Sequence, residues 1–155
     1  MTGSHDPHKH LEFEDLVAGY SATVGRCVVP LADAIEFARR WEPQPHHIDP
    51  DAARNTVYGG ITLCSLQLFA ICTRLFFDWD EQPAVLAMLG KDEIRLPKPA
   101  RPDEPIVYRT ECISRRESRS KPDRGVITLL DTLSDPSGAV VLTQKVMLLV
   151  PRRIG

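Results

Sequence analysis

The run from Ile61 to Phe77 limits most strongly what this chain can become. It contains no Gly or Pro, so a helix is predicted over 61–77. Apolar residues fall on nearly every face of it, and a helix that is apolar all round belongs in a core. At roughly 1.5 Å per residue it would be about 25 Å long, enough to cross a small domain. It is slightly short for a membrane span and carries Arg74, so a core helix is predicted and no membrane partner is expected. The rest of the chain must then wrap this helix.

The 155 residues are enough for one domain with a sizeable core, predicted over 11–155. Residues 1–10 are polar, with His5, His8 and His10 loosely spaced, and are predicted to be a disordered tail. A net charge of -2 gives no reason to expect nucleic acid as a partner. No N-terminal run has the basic, apolar and small-residue order of a signal peptide. Cys27, Cys64, Cys72 and Cys112 form no C-x-x-C pair, and two of them lie in the apolar run. Reduced, buried thiols in the cytoplasm are the expectation.

Around the central run the pattern alternates between helix and strand. Leu31, Ala34, Ile35, Ala38 and Trp41 make one apolar stripe at helical spacing, and Pro30 and Asp33 suit the start of a helix over 31–41. Pro43 and Pro45 are read as ending it, which leaves Glu42 to Asp49 as a stiff, non-helical loop. One helical turn over 50–55 is predicted, with Asp49 as its cap. Residues 19–29 read as a strand or loose hairpin, and 85–90 and 92–96 as short strand or irregular pieces. Prolines at 97, 99, 102 and 105 exclude helix and central strand between them. Strand-like runs follow at 106–115, 126–134 and 139–150, the last two joined by a turn at Asp135 to Gly138. Short connections imply antiparallel neighbours. The predicted class is α+β, an antiparallel sheet wrapped round one long helix.

Chemistry gathers at the entrance to that helix. Glu42 and His47 lie five residues apart, and a carboxyl and an imidazole can share acid–base work on one water molecule. The same pair also occurs in ordinary solvated loops. Gly59 and Gly60 precede the helix, where free N–H groups and the helix dipole would stabilise negative charge on a carbonyl oxygen, although a tight turn without a ligand has the same signature. Ser65, Thr62 and Gln67 are among the few polar groups nearby, and the Ser65 hydroxyl either faces a cleft or bonds back to its own helix. The cluster Arg115, Arg116, Arg119, Lys121 and Arg124 would suit phosphates or, equally, a solvated hairpin end. There is no phosphate-binding loop, dinucleotide fingerprint or nucleophile elbow. No further residue is spaced to complete a metal site with His46 and His47.

Three segments carry a family resemblance: Phe37-Ala38 leading into Trp41 to Asp49, then Tyr58-Gly59-Gly60-Ile61, then Ser118 to Val126. Over about residues 13–153 the chain resembles the MaoC-like dehydratases, hotdog-fold proteins that include (R)-specific enoyl-CoA hydratases. The resemblance implies a curved antiparallel sheet around one long buried helix. It implies a trans-2-enoyl thioester of CoA or a carrier protein as substrate. It makes Glu42 and His47 the catalytic pair that holds the attacking water, and it places the thioester carbonyl against backbone N–H groups near Gly59, Gly60 and Ile61, with Ser65 beside the acyl slot. No metal or cofactor is implied. Homodimers, dimers of dimers or heteromers are. The sequence departs from the family at three places. Glu42 stands where the family has Asp, Cys64-Ser65 stand where it has a small residue or His followed by Gly, and Pro102-Asp103-Glu104 replace Pro-Gly-Asp. A non-catalytic acyl-CoA-binding or partner subunit and a hotdog thioesterase are the alternatives, the latter lacking the His that one thioesterase group carries where this chain has Tyr58.

Overall fold

The structure, a computed structural model, describes residues 10–153. Of the predicted tail only His10 is among them; it is exposed, with Nδ1 3.3 Å from the Gln82 carbonyl oxygen, and the rest of the tail lies outside the described residues. Five strands form one antiparallel sheet: β1 (Ser21–Val28), β2 (Ala87–Arg95), β3 (Pro105–Glu117), β4 (Arg124–Ser134) and β5 (Val140–Pro151). Their order is β1-β3-β4-β5-β2, so the three late strands make the predicted meander and β1 and β2 are its edges. Asp135 closes the β4–β5 turn: its carboxylate accepts from the Ser137 and Ala139 N–H groups, and Gly138 takes the left-handed conformation at φ 83°. Every ladder contains a register shift. Such bulges bend strands and increase their twist, which lets a sheet curl round a helix.

The two pieces predicted at 85–96 are one strand. Glu93, at φ 49°, sits in a bulge of β2 between Asp92 and Arg95, so pairing with β5 continues across it. The bulge disturbs the alternation of sides, and so the sequence pattern looked broken.

Four helices accompany the sheet: α1 (Leu31–Trp41), α2 (Pro45–Ile48), α3 (Pro50–Arg54) and α4 (Ser65–Asp78). The first has the predicted bounds, but its buried residues are Ala34 and Ala38, while Trp41 is 63% exposed. The Asp49 side chain caps α3 as expected, accepting from the Asp51 and Ala52 N–H groups at 2.9 and 3.2 Å. The stiff loop predicted over Glu42 to Asp49 is not wholly loop. Pro45 opens α2 at its first position, where a missing N–H is harmless.

The central helix starts four residues later than predicted. Thr62 and Leu63 donate their N–H groups to the carbonyls of His46 and Ala100, at 3.1 and 2.9 Å. These long-range bonds hold 61–64 extended, and helix propensity yields to them. On α4, Leu68, Ile71, Cys72 and Leu75 pack with Ile106, Tyr108, Leu133 and Leu142 of the sheet. At about 1.5–3 kcal/mol for each fully buried large aliphatic side chain, this face anchors the helix. The opposite face is not buried within the chain: Leu66 is 42% and Phe77 62% exposed. A second cluster joins Phe13 and Leu16 to Ile127, Leu129 and Val150 under the other end of the sheet. Gly125 is needed there, because a Cβ would lie 2.4 Å from the Phe13 ring. None of the four cysteines is in a disulfide, and Cys64, Cys72 and Cys112 are buried.

Candidate active site

The chain turns sharply between α1 and α2, and this turn places the acid. Glu42 is the residue at which α1 ends, its N–H still bonded to the Ala38 carbonyl at 2.8 Å. Its side chain, about one quarter exposed, reaches back over α2. There Oε1 accepts from the Gln44 amide at 3.1 Å, and Oε2 accepts from the Ser65 hydroxyl at 3.4 Å. Ser65 is the first residue of α4, so its hydroxyl faces the acid rather than its own helix. Two residues far apart in sequence thus orient one carboxylate.

His47 is 6% exposed and locked from behind. Its Nδ1 lies 2.7 Å from the Thr62 carbonyl oxygen and 3.1 Å from the Thr62 hydroxyl. A ring nitrogen that close to a carbonyl must carry a proton and donate it. In the neutral ring, Nε2 is then the acceptor. Nε2 faces Glu42 Oε1 across 3.8 Å, too far for a direct hydrogen bond. A gap of this kind between two acceptors suits a water that donates to both. The His46 ring stacks obliquely on His47, at 4.0 Å between centroids, and on Tyr58 at 4.9 Å. Burial, and then the neighbouring His47, push the His46 pKa down.

A cavity of about 310 Å³ opens in front of this pair, bordered by Glu42, His47, Thr62, Ser65, Leu68 and Lys98. Gly59, Gly60 and Ile61 do not line it, although Tyr58 and Thr62 on either side do. Nor do the glycines enter a helix directly, since α4 begins only at Ser65. Gly59 makes a turn at φ 65°, and Arg101 holds that turn. The Arg101 guanidinium donates to the carbonyls of Tyr58, of Gly60 at 3.0 Å and of Ile61 at 3.3 Å. Because a trans peptide sets its N–H opposite its C=O, the Ile61 N–H is turned away from Arg101.

Sequence reasoning missed Arg101, Lys98 and the role of Thr62 as the His47 acceptor. An isolated Arg or Lys in a proline-rich stretch carries no local signal, and a backbone carbonyl carries none at all. The basic cluster lies at the β3–β4 hairpin, the end of β3 remote from Ala100 and the cavity. Arg115 there donates to the Phe13 carbonyl at 2.7 Å and covers the Phe13 ring, and Arg124 pairs with Asp123. Among the described residues no three His, Cys, Asp or Glu side chains gather as metal ligands would.

The sequence model of the MaoC like domain matches residues 14–132, most of the chain. The chain belongs to the MaoC-like dehydratase family. A MaoC-like dehydratase from Rhodospirillum rubrum is 30% identical, with a TM-score of 0.86 over 94% of this chain and 99% of that one. The (R)-hydratase from A. caviae involved in PHA biosynthesis shares the fold at 18% identity, with a TM-score of 0.71 over 89% and 99% of the two chains. So does the HadBC (3R-hydroxyacyl-ACP dehydratase) complex from Mycobacterium tuberculosis, at 14% identity and a TM-score of 0.70 over 86% and 96%. No curated protein matches the sequence. The five-stranded antiparallel sheet with its central helix is thus the hotdog fold of a MaoC-like dehydratase, in the α+β class.

Proposed function

We propose that this MaoC-like protein hydrates trans-2-enoyl thioesters of CoA or a carrier protein, and dehydrates the corresponding 3-hydroxyacyl thioesters. The observation that carries this is the 3.8 Å gap between Glu42 Oε1 and His47 Nε2, both acceptors, on the wall of the cavity at the start of α4. A water there gives one hydrogen bond to Glu42, which orients it, and one to Nε2. The water oxygen bonds to the carbon β to the thioester carbonyl, and its proton passes to Nε2. The C=C electron pair moves toward the thioester oxygen, and the proton is returned from Nε2 to the α carbon. Thr62 keeps Nδ1 protonated throughout, so one nitrogen takes and gives the proton. Enolate charge on the thioester oxygen is met by the first N–H groups of α4 beside Ser65, which borders the cavity and where the earliest backbone donors have no intrahelical partner.

The assembly proposed is a dimer joined through β2, with another copy or a related chain as partner. β2 is an edge strand, and along it Met88 and Leu89 are 57% and 50% exposed, with Leu86 beside them at 52%. An unpaired apolar edge is a pairing surface.

The test is the loss of enoyl-thioester absorbance on mixing with crotonyl-CoA and longer trans-2-enoyl-CoAs. Wild type is expected to hydrate them, and His47→Ala and Glu42→Ala to lose that activity. Hydration surviving both changes overturns the site. A folded protein that hydrates no chain length, yet binds acyl-CoA, overturns the enzyme in favour of a binding subunit. Thiol release without hydration points to a thioesterase.

A further inference from the structure

The proline-rich stretch after β2 is a stiff strip. Pro97, Pro99 and Pro102 fix their own φ angles and push the residues before them into extended backbone. Lys98, Pro99 and Ala100 border the cavity, but Arg101 does not. Arg101 is half-buried, and among the described residues no carboxylate pairs with it. Its guanidinium instead donates to three backbone carbonyls, those of Tyr58, of Gly60 at 3.0 Å and of Ile61 at 3.3 Å. Bonds from a charged donor are about twice as strong as neutral ones.

Two peptide units carry this hold to the imidazole. Residues 61–63 run extended between the stiff strip and the His46–His47 pair. In the unit joining Ile61 to Thr62, the C=O accepts from Arg101 and the N–H donates to the His46 carbonyl at 3.1 Å. In the unit joining Thr62 to Leu63, the N–H donates to the Ala100 carbonyl at 2.9 Å and the C=O lies 2.7 Å from His47 Nδ1. A trans peptide sets its C=O and N–H on opposite sides, so each rigid unit is held at both ends. One unit fixes the backbone of His46 and the other the ring of His47. Hydrogen bonds in such a chain polarise one another, so the Arg101 charge strengthens the bond to His46. The Tyr58 backbone is held by Arg101 as well, and its ring backs the His46 ring, which stacks on His47.

We infer that Arg101 is a positioning residue for His47: through residues 61–63 it keeps the ring in the one tautomer and orientation that leave Nε2 facing Glu42. The inference rests on the hydratase reading above for what His47 does, but not for how its ring is held. Without the guanidinium the first peptide unit is free to turn, and the Thr62 carbonyl shifts with it. A ring whose Nδ1 acceptor moves no longer has its tautomer fixed. A shift of about 1 Å at the reacting centre can slow a reaction about a hundredfold.

The experiment takes two readings on Arg101→Met and on the milder Arg101→Lys. One is the nitrogen NMR spectrum of the His47 imidazole at about pH 8, where an ordinary imidazole is neutral and the spectrum shows which nitrogen carries the proton. Its signals are assigned by their loss in His47→Ala. The other is steady-state hydration of crotonyl-CoA. Wild type is expected to show Nδ1–H alone. In Arg101→Met about a tenth or more of the ring should carry its proton on Nε2. There kcat should fall about a hundredfold with KM within about threefold, the loss falling on the transition state. A Lys ammonium keeps the charge but cannot span the three carbonyls, so Arg101→Lys should lie between in both readings. A mixed tautomer already in wild type overturns the inference. So does a folded Arg101→Met whose ring stays wholly Nδ1–H, whether or not kcat falls, and so does full activity despite a mixed ring. If wild type hydrates no enoyl-CoA, yet the ring changes tautomer in Arg101→Met, the positioning stands and the hydratase reading falls. Should Arg101→Met not fold, Arg101→Lys decides by the same two readings.

Discussion

Shortening Glu42 to Asp restores the residue its family carries, and it is expected to damage this protein. The carboxylate would retreat by about one C–C bond, roughly 1.5 Å. Its contact to the Ser65 hydroxyl is already 3.4 Å and would be lost, as would the 3.1 Å bond from Gln44. The 3.8 Å gap to His47 Nε2 would widen to as much as about 5.3 Å, where one water bridges the two acceptors only through bent, weakened hydrogen bonds. A misplacement of about 1 Å at a reacting centre can slow a reaction about a hundredfold, or about 2.7 kcal/mol of barrier. Glu42→Asp should therefore lower kcat/KM for crotonyl-CoA about a hundredfold, followed by the enoyl-thioester absorbance, with thermal melting to show that the fold is intact. Ser65→Gly should weaken activity by about tenfold through the same carboxylate. Because the two side chains act as one unit, the double variant should be little worse than Glu42→Asp alone. An Asp variant as fast as wild type, or losses that multiply in the double variant, would refute this account of the site.

Three further outcomes are expected. Asp103 sits at φ 62° and its Oδ1 accepts from the Leu31 N–H at the start of α1, so Asp103→Ala should destabilise the protein by about 1–2 kcal/mol in urea unfolding; no measurable loss would contradict that role. Lys98, the Ser137 hydroxyl and two backbone N–H groups hold the Asp135 carboxyl well below the usual carboxylate range. The folded value thus lies below the unfolded one, so the stability this adds is complete above about pH 4 and is lost as pH falls through the depressed value. The advantage of wild type over Asp135→Asn should shrink on acidification, and an advantage that grows below about pH 4 would reverse the sign argued here. Finally, Met88→Lys places a charge on the apolar β2 edge and should convert the proposed dimer to monomer in light scattering; a wild-type monomer, or a dimer of unchanged mass in the variant, would overturn that interface.

The fold and the proximity of Glu42 to His47 were legible in the sequence to different depths, for physical reasons. α1 was read to its bounds because Pro30 and Pro43 bracket it locally. The meander was read because β3, β4 and β5 alternate and Asp135 to Gly138 is a turn by its own chemistry. The start of α4 was misread because what stops the helix at Ser65 is a pair of backbone bonds from Thr62 and Leu63 to distant carbonyls, which no local pattern records. The spacing of Glu42 and His47 left an ordinary loop open and only the family resemblance singled out the pair, while neither told the direction in which the imidazole points. That depends on the Thr62 carbonyl, fifteen residues further on. Gly59 and Gly60 were legible as a turn, yet their distance from the helix entrance was not, since the segment between is apolar and looks helical.

The departures from the family pattern become intelligible once the contacts are known. Read one at a time, Glu42 is an acid too long for its place and Ser65 a side chain where none belongs. In the folded chain the extra methylene carries the carboxylate to the hydroxyl, so each departure supplies the other's partner. At Asp103 the backbone keeps the left-handed conformation that glycine would adopt, and the added carboxylate caps α1. That helix ends at Glu42. The cap therefore steadies the element that delivers the acid, and two substitutions sixty-one residues apart bear on one carboxylate from opposite ends of α1.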